Sequence, residues 1–386
     1  MSHILTIYSE KTPTVHLVLG LIVPFSEQFG TIVREKESGQ VTGQDISWCD
    51  CVIMIRPYDI VCWDILKAAK QSGRFIIVYL DDDLLNVPDL YASLPRKIIA
   101  KLLKKRNQKA LIGCLSLCDV LWGSNPLLLD RYQTYVSIGR CVKCDVITDF
   151  SKVGPIIERN KGGRILFAGA TDHAALLNRY IIPALNQIAD RFPDLEMTCI
   201  GVTKLQLCEC KVAIKYIPWM NDYEQYRKVV EDERCDIGIA VIEKDEFYQC
   251  KYFNKFIEYS LLGAVGIYTD SAPYNFVVQH GKNGFLAKDT VESWAENISF
   301  AIKHPDLCKK CVFNARDFIM REFKRDKLVE IIHDNIPELC EYYSNKTEQV
   351  NYHTRVVWNI LKNIGTKVIM TYETCIAKAG KNDNKN

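Results

Sequence analysis

The chain has almost no net charge: 49 lysines and arginines against 47 aspartates and glutamates leave +2 over 386 residues. That balance argues against a nucleic-acid binder working through bulk positive potential. No apolar run reaches the ~18 residues that a membrane-spanning helix requires. The opening MSHILTIYSEKTPTVH lacks the basic segment and long apolar stretch of a signal peptide, so a cytoplasmic location is the expectation. No Gly-x-Gly-x-x-Gly follows the first strand of either half, which disfavours a nucleotide-dependent oxidoreductase. A compact Cys/His quartet is lacking too, despite sixteen cysteines. Cys141/Cys144 and Cys308/Cys311 have zinc-knuckle spacing, with Cys49/Cys51 and Cys208/Cys210 as further candidates, but the pairs lie far apart in sequence. Cys62, Cys114, Cys118 and Cys199 sit in apolar segments. Reduced, buried thiols and no metal are therefore expected.

What is present is a repeated alternation of strand and helix, in a chain long enough for two cores. In the first half CDCVIMI (centred on 51–55), RFIIVYLDDD (74–83), CDVLWGS (118–124) and CVKCDVI (141–147) read as strands. Helices are expected over 60–72, 94–110 and 126–134. Near-continuous β-branched runs separated by helices imply parallel strands buried on both faces. The stretch 148–162 reads as a linker. The alternation then restarts, with strands 164–169, 196–201, 212–218, 236–242 and 264–268, and helices 172–190, 222–231 and 290–303. Two α/β units in tandem give a two-lobed protein with a cleft between doubly wound sheets. Segment 352–378 can form a helix. It would pack back on the protein or, through Val356, Trp358, Ile360, Ile364 and Val368 beside several lysines, lie on a membrane surface.

In open α/β sheets ligands sit beyond the carboxyl ends of the strands, and that rule selects the loops to inspect. Gly169-Ala-Thr-Asp-His173 follows strand 164–169 and opens a helix, where free amides suit a phosphate. Thr171 or Asp172 is an equally ordinary helix cap. Asp81, Asp82 and Asp83 end the apolar strand 75–80. Three adjacent carboxylates repel one another, so a cation, an acceptor's hydroxyl groups or a basic neighbour is expected there, with Arg56 a candidate partner. In CKYFNKFIEYSLLGAVGIYTD (250–270), Lys251, Lys255 and Glu258 fall at helical spacing opposite Phe253, Phe256, Ile257 and Leu261. Such a face is either a solvated Lys–Glu pair or a diphosphate-and-ribose site, and spacing alone leaves both open. Thr269–Tyr274 and His280-Gly-Lys-Asn-Gly284 are tight loops at the same sheet end.

The order ISWCDCVIMIRPYD, FIIVYLDDDLLNVP, LCDVLWGSNPLLLDRY, ILFAGATDHAALLNRYIIPAL, CDIGIAVIEKDEFYQCKYFNKFIEYSLLGAVGIYTDSAPY and HGKNGFLAKD, over about 46–303, resembles GT-B glycosyltransferases. It is nearest the retaining family 4 and related bacterial surface-polysaccharide enzymes. The resemblance implies two Rossmann-like domains facing a cleft: residues 1–150 for the acceptor, 151–310 for the nucleotide-sugar donor, and C-terminal helices over 311–386 that pack back on the first domain. It implies transfer of a sugar, with retention, from a nucleotide-diphospho-sugar to a glycan or lipid-linked acceptor, with no cofactor and no metal. Lys255, Glu258 and Asp82 would be catalytic. Gly169, His173, Lys251, Pro273 and Tyr274 would complete the donor site, with Glu258 on the ribose and the lysines on the diphosphate. Asp82, Asp83 and Arg56 would face the acceptor. The chain departs from the pattern at Cys250, where many members carry a glutamate eight residues before the ribose-binding one. It also lacks a basic pair around Gly169–Ala175. Those departures leave a non-catalytic sugar-nucleotide-binding protein as the alternative.

Overall fold

A computed structural model describes residues 1–87, 94–146, 163–220, 222–342 and Tyr352, with residues 13 and 94–100 described through their backbone alone. The expected linker 148–162 and the expected 352–378 helix, Tyr352 apart, lie outside the described residues.

The first unit runs β1 (His3–Tyr8), α1 (Pro13–Phe29), β2 (Ile32–Glu37), α2 (Gly43–Trp48), β3 (Cys51–Ile55), α3 (Ile60–Gln71), β4 (Phe75–Leu80), α4 (Leu94–Leu115), β5 (Val120–Gly123), α5 (Pro126–Tyr135) and β6 (Arg140–Lys143). Its sheet has the order β2-β1-β3-β4-β5-β6, with every pairing parallel. Every residue of β3 and β4 is buried, because helices cover both faces of a parallel sheet. Each fully buried aliphatic or aromatic side chain there stabilises the fold by about 1.5–3 kcal/mol. The β1–α1–β2 unit is an addition to the sequence expectation. β2 reads IVREKE and has no fully buried residue; charge on an edge strand discourages pairing with other chains and hides the strand from a hydrophobicity search. Caps mark the turns: Thr42 and Asp45 form a capping box on α2, Asp59 caps α3, and Asn125 with Pro126 opens α5.

The second unit continues with β7 (Arg164–Ala168), α6 (Ala174–Leu176), α7 (Ile182–Ile188), β8 (Glu196–Ile200), β9 (Ala213–Ile217), α8 (Tyr223–Asp232), β10 (Ile237–Ala240), α9 (Glu246–Gln249), α10 (Asn254–Leu262), β11 (Val265–Thr269), β12 (Phe285–Ala287) and α11 (Val291–Lys303). Its parallel sheet has the order β12-β11-β10-β7-β8-β9. This is the doubly wound arrangement that reverses direction between its first and fourth strands, here β7 and β10. The single helix expected over 172–190 is a composite. A π-helical stretch, Leu177–Ile181, separates α6 from α7. Pro183 has no N–H for the carbonyl one turn back, and a local widening absorbs that loss.

α12 (Pro305–Glu322), α13 (Arg325–Asn335) and α14 (Glu338–Glu341) close the described chain. α12 starts on the second sheet, where Cys308, Cys311 and Val312 join the apolar cluster of that unit. α13 and α14 lie on the first unit. Phe29 and His333 stack at 4.1 Å, Arg140 donates to both Glu338 carboxylate oxygens at 2.7 and 2.9 Å, and the Tyr342 hydroxyl donates to Gly73 O at 2.9 Å. One continuous core links both sheets to these helices, including Ile53, Val120, Leu166, Phe256, Ile319 and Ile332. Among the described residues no helix is long and apolar enough to cross a membrane, and no His/Cys/Asp/Glu group is arranged to hold a metal. The described cysteines are free thiols. Burial pushes Cys62, Cys118, Cys199 and Cys235 up to about 12, so they behave as small apolar side chains.

Candidate active site

The first sheet reverses between β1 and β3, and Arg56 follows β3 directly. Its backbone is left-handed (φ 48°) and its N–H donates to Tyr79 O at 2.9 Å. From there the guanidinium reaches three groups: Asp81 Oδ1 at 3.3 Å, Asp82 Oδ2 at 2.9 Å and Thr14 Oγ1 at 3.2 Å. Thr14 itself donates to Asp81 Oδ2 at 2.6 Å. The three carboxylates after β4 are thus answered by basic neighbours. Arg56 takes Asp81 and Asp82. Asp83, expected to face the acceptor with Asp82, is fully buried and turned inward onto Arg131 at 2.8 Å and Asn86 at 2.8 Å. Desolvation raises the Asp81 pKa although Arg56 opposes it. Asp82 is the most accessible of the three.

On the second lobe the expected lysine–glutamate helix is broken. α9 ends at Gln249 and α10 begins at Asn254, so Lys251 stands in the connecting segment rather than one turn up the same helix. Freed from that helix, its ammonium crosses the cleft to Asp82 Oδ1 at 3.4 Å, over the Phe247 ring at 4.6 Å. Lys255 and Glu258 do share a face of α10. Lys255 Nζ lies 3.1 and 2.9 Å from the two Glu258 oxygens. Tyr226 of α8 joins them, accepting from Lys255 at 2.7 Å and donating to Glu258 Oε1 at 2.6 Å. Burial, then the Glu258 charge, pushes the Tyr226 phenol up, so it remains a donor. The group is about one-fifth exposed, which is neither a free surface pair nor a closed core.

At the β7/β10 reversal His173 Nδ1 donates to Val241 O at 3.0 Å, a bond between the two strands' carboxyl-end loops. A carbonyl only accepts, so this nitrogen carries the proton and Nε2 is left with its lone pair. Burial lowers the His173 pKa, against the pull of Asp172, and keeps the ring neutral. Asp172 does not cap a helix. It accepts from the Tyr248 hydroxyl at 2.8 Å, and its other oxygen is buried with no hydrogen-bond partner among the described residues. Gly169 and Gly201 approach so closely that a Cβ on Gly201 would lie 2.3 Å from Gly169 O, and Gly201 has φ 88°. Pro273 and Tyr274 are buried, with the Tyr274 ring 4.8 Å from Tyr268. The Glu258 charge reaches Tyr274, adding to burial in raising its pKa.

Two further contacts join the lobes. Asn125 Nδ2 donates to Gln249 O and Lys251 O, both at 2.8 Å, while its Oδ1 caps α5. Arg131 reaches Glu246 at 3.0 Å. Cys250 is buried among first-lobe residues, its thiol pushed up to about 11 by desolvation. Tyr226, Tyr248, Asn125, Arg131 and Thr14 were not among the sequence candidates. The partners that bring them to the site lie between 29 and 126 residues away, so no local spacing marks them there.

No family model matches the chain, and no curated protein matches it. Solved structures do. Anabaena HepE in complex with UDP-glucose aligns with a TM-score of 0.58 at 13% identity, covering 88% of this chain and 100% of that one. Sucrose-phosphate synthase from Thermosynechococcus elongatus aligns at 0.58 and 10%, covering 88% and 99%. A glycosyltransferase from Rickettsia africae aligns at 0.54 and 14%, covering 89% and 99%. At these identities the likeness establishes the fold: two Rossmann-like, doubly wound domains facing a cleft, the GT-B arrangement.

Proposed function

We propose that this chain is a glycosyltransferase that moves a sugar from a nucleoside-diphospho-sugar to an acceptor hydroxyl, with retention at the anomeric carbon. The observation that carries the proposal is the cluster of Lys255, Glu258 and Tyr226, set in a cleft edged by Lys251. A carboxylate held in place offers two acceptor oxygens to vicinal ribose hydroxyls. Two ammonium groups nearby stabilise the charge that accumulates on a departing diphosphate. The likeness to HepE, whose crystal holds UDP-glucose, supports the same donor class.

In this reading the bond between the anomeric carbon and the β-phosphate oxygen breaks, and that oxygen keeps the electron pair. The acceptor oxygen bonds the same face of the carbon, and its proton passes to the departing diphosphate. Lys251 and Lys255 neutralise the leaving group, so the proposal requires no metal, and EDTA is expected to leave turnover unchanged. Asp82 with Arg56 lines the acceptor side. Thermal-shift titration with UDP-, GDP-, dTDP- and CDP-sugars should reveal one stabilising nucleotide, because a ligand that binds only the folded state raises its melting point. Glu258→Ala and Lys255→Ala should abolish that shift and donor hydrolysis while the chain stays folded. Unchanged activity in both would discard the assignment.

Cys250 favours a second reading. A buried thiol occupies the position where many members of the resembled family carry a glutamate, which fits a protein that binds sugar nucleotides without turnover. Nucleotide binding with no transfer across a donor–acceptor panel would select it.

A further inference from the structure

α4 is out of proportion to its surroundings. It has 22 residues, about 33 Å at 1.5 Å per residue, whereas its neighbour α3 has 12, about 18 Å. The two helices pack through the last turns of α4, where Gly113 lies so close to the Trp63 ring that a Cβ there would clash. Accordingly Ala110, Leu111, Cys114 and Leu115 are buried, while none of residues 101–109 is. The early part of α4 therefore projects past α3 on the side where β4 ends, which is the cleft side. Lys104 donates to Val87 O at 2.8 Å, and Gln108 donates to Leu85 O, anchoring the helix to the loop that follows Asp83.

The projecting part has an unusual composition. The helix, LPRKIIAKLLKKRNQKALIGCL, carries seven lysines and arginines and no aspartate or glutamate, in a chain whose net charge is only +2. Lys101, Lys105 and Lys109 follow one another at four-residue spacing and are exposed. Among the described residues no ion pair joins them to a carboxylate. Beside them Leu102 and Leu103 are 65% and 45% exposed, and Ile112 is 39% exposed. A run of cations without acidic residues suits the surface of an anionic bilayer, where each lysine meets headgroup charge and the exposed leucines beside them can reach the acyl boundary.

We propose that α4 is a docking surface for an anionic lipid bilayer, and that it brings the Asp82 side of the cleft to an acceptor carried on lipid. The second clause rests on the sugar-transfer reading; the first does not.

The test is co-sedimentation of the full chain with vesicles of phosphatidylcholine containing roughly one-third phosphatidylglycerol, against phosphatidylcholine alone. Binding is expected only to the anionic vesicles and should weaken with salt. The triple variant K101E/K105E/K109E should lose affinity by about a hundredfold or more, since each cation near such a surface contributes about one kcal/mol. L102S/L103S should lose about tenfold with the salt dependence retained. Soluble donor hydrolysis should be unchanged in both. Wild-type binding that the charge variant does not alter would overturn the proposal. So would binding to a single-stranded nucleic acid with none to vesicles. Vesicle binding without any donor turnover would instead sink the sugar-transfer reading and leave the docking surface standing.

Discussion

The Nζ of Lys251 and the Oδ1 of Asp82 lie 3.4 Å apart although 169 residues separate them in sequence. One side chain comes from each lobe, so this ion pair bridges the cleft, at the point where the proposed sugar transfer would bring donor diphosphate and acceptor hydroxyl together. Both residues are one-quarter to one-third exposed, so the pair is screened, contributes little to stability and can open when a stronger anion arrives.

Asp82→Asn removes the anion that competes with a diphosphate for Lys251. Nucleoside diphosphate should bind up to about fivefold more tightly, the effect of losing a partly exposed pair of at most ~1 kcal/mol. Lys251→Ala should weaken binding. Calorimetric titration checks both, and an unchanged affinity in Lys251→Ala would show that Lys251 is not on the diphosphate.

Tyr226→Phe deletes one hydroxyl that holds both Lys255 and Glu258. Hydrogen bonds to charged groups are worth about 1.5–3 kcal/mol, so donor KM should rise by roughly ten- to a hundredfold. The melting temperature should fall by a few degrees as well, because the same bonds contribute to folding. A KM within twofold of wild type would remove Tyr226 from the donor site.

His173 should make the protein acid-sensitive in a defined window. Its folded pKa is lowered by burial from an unfolded value near 6.5. Below that value the unfolded chain binds the extra proton first, so stability is full above about pH 6.5 and is lost as pH falls towards the folded pKa. Asp81 and Asp145, whose carboxyls are raised chiefly by burial, act the other way. For them the folded state holds the proton more firmly above the ordinary carboxylate range. His173→Gln should therefore flatten the fall in unfolding free energy between pH 7 and pH 5. An unaltered pH profile in that variant would place the effect elsewhere.

Asn125→Asp keeps the oxygen that caps α5 and loses the two donations to Gln249 O and Lys251 O. It also sets a carboxylate against two carbonyls. Urea unfolding should show a loss of about 1–3 kcal/mol. A loss below about 0.5 kcal/mol would mean that the lobes do not depend on this contact.

The legible parts of the fold were those in which each residue does one thing. β3 and β4 are uninterrupted apolar runs because both faces are covered, and their order with the intervening helices was enough for a doubly wound pair of sheets. β2 was not legible, since an edge strand written IVREKE looks like a solvated loop. The Lys255–Glu258 face was visible at its helical spacing, and Arg56 was correctly set against the aspartates after β4. The helix break before Asn254 was not visible. It coincides with a distant contact: Asn125 of the first lobe holds the carbonyls of Gln249 and Lys251.

By itself the amino-acid sequence determined the two parallel sheets and the loops at their carboxyl ends, because burial on both faces writes a local and continuous apolar signal. Only the tertiary structure decided which charges neutralise which. It turned Asp83 inward to Arg131, left Asp82 in the cleft facing Lys251, and drew Tyr226 onto Glu258. Electrostatic partners are chosen by distance in space, and a folded chain brings together residues whose separation in sequence carries no trace of the pairing.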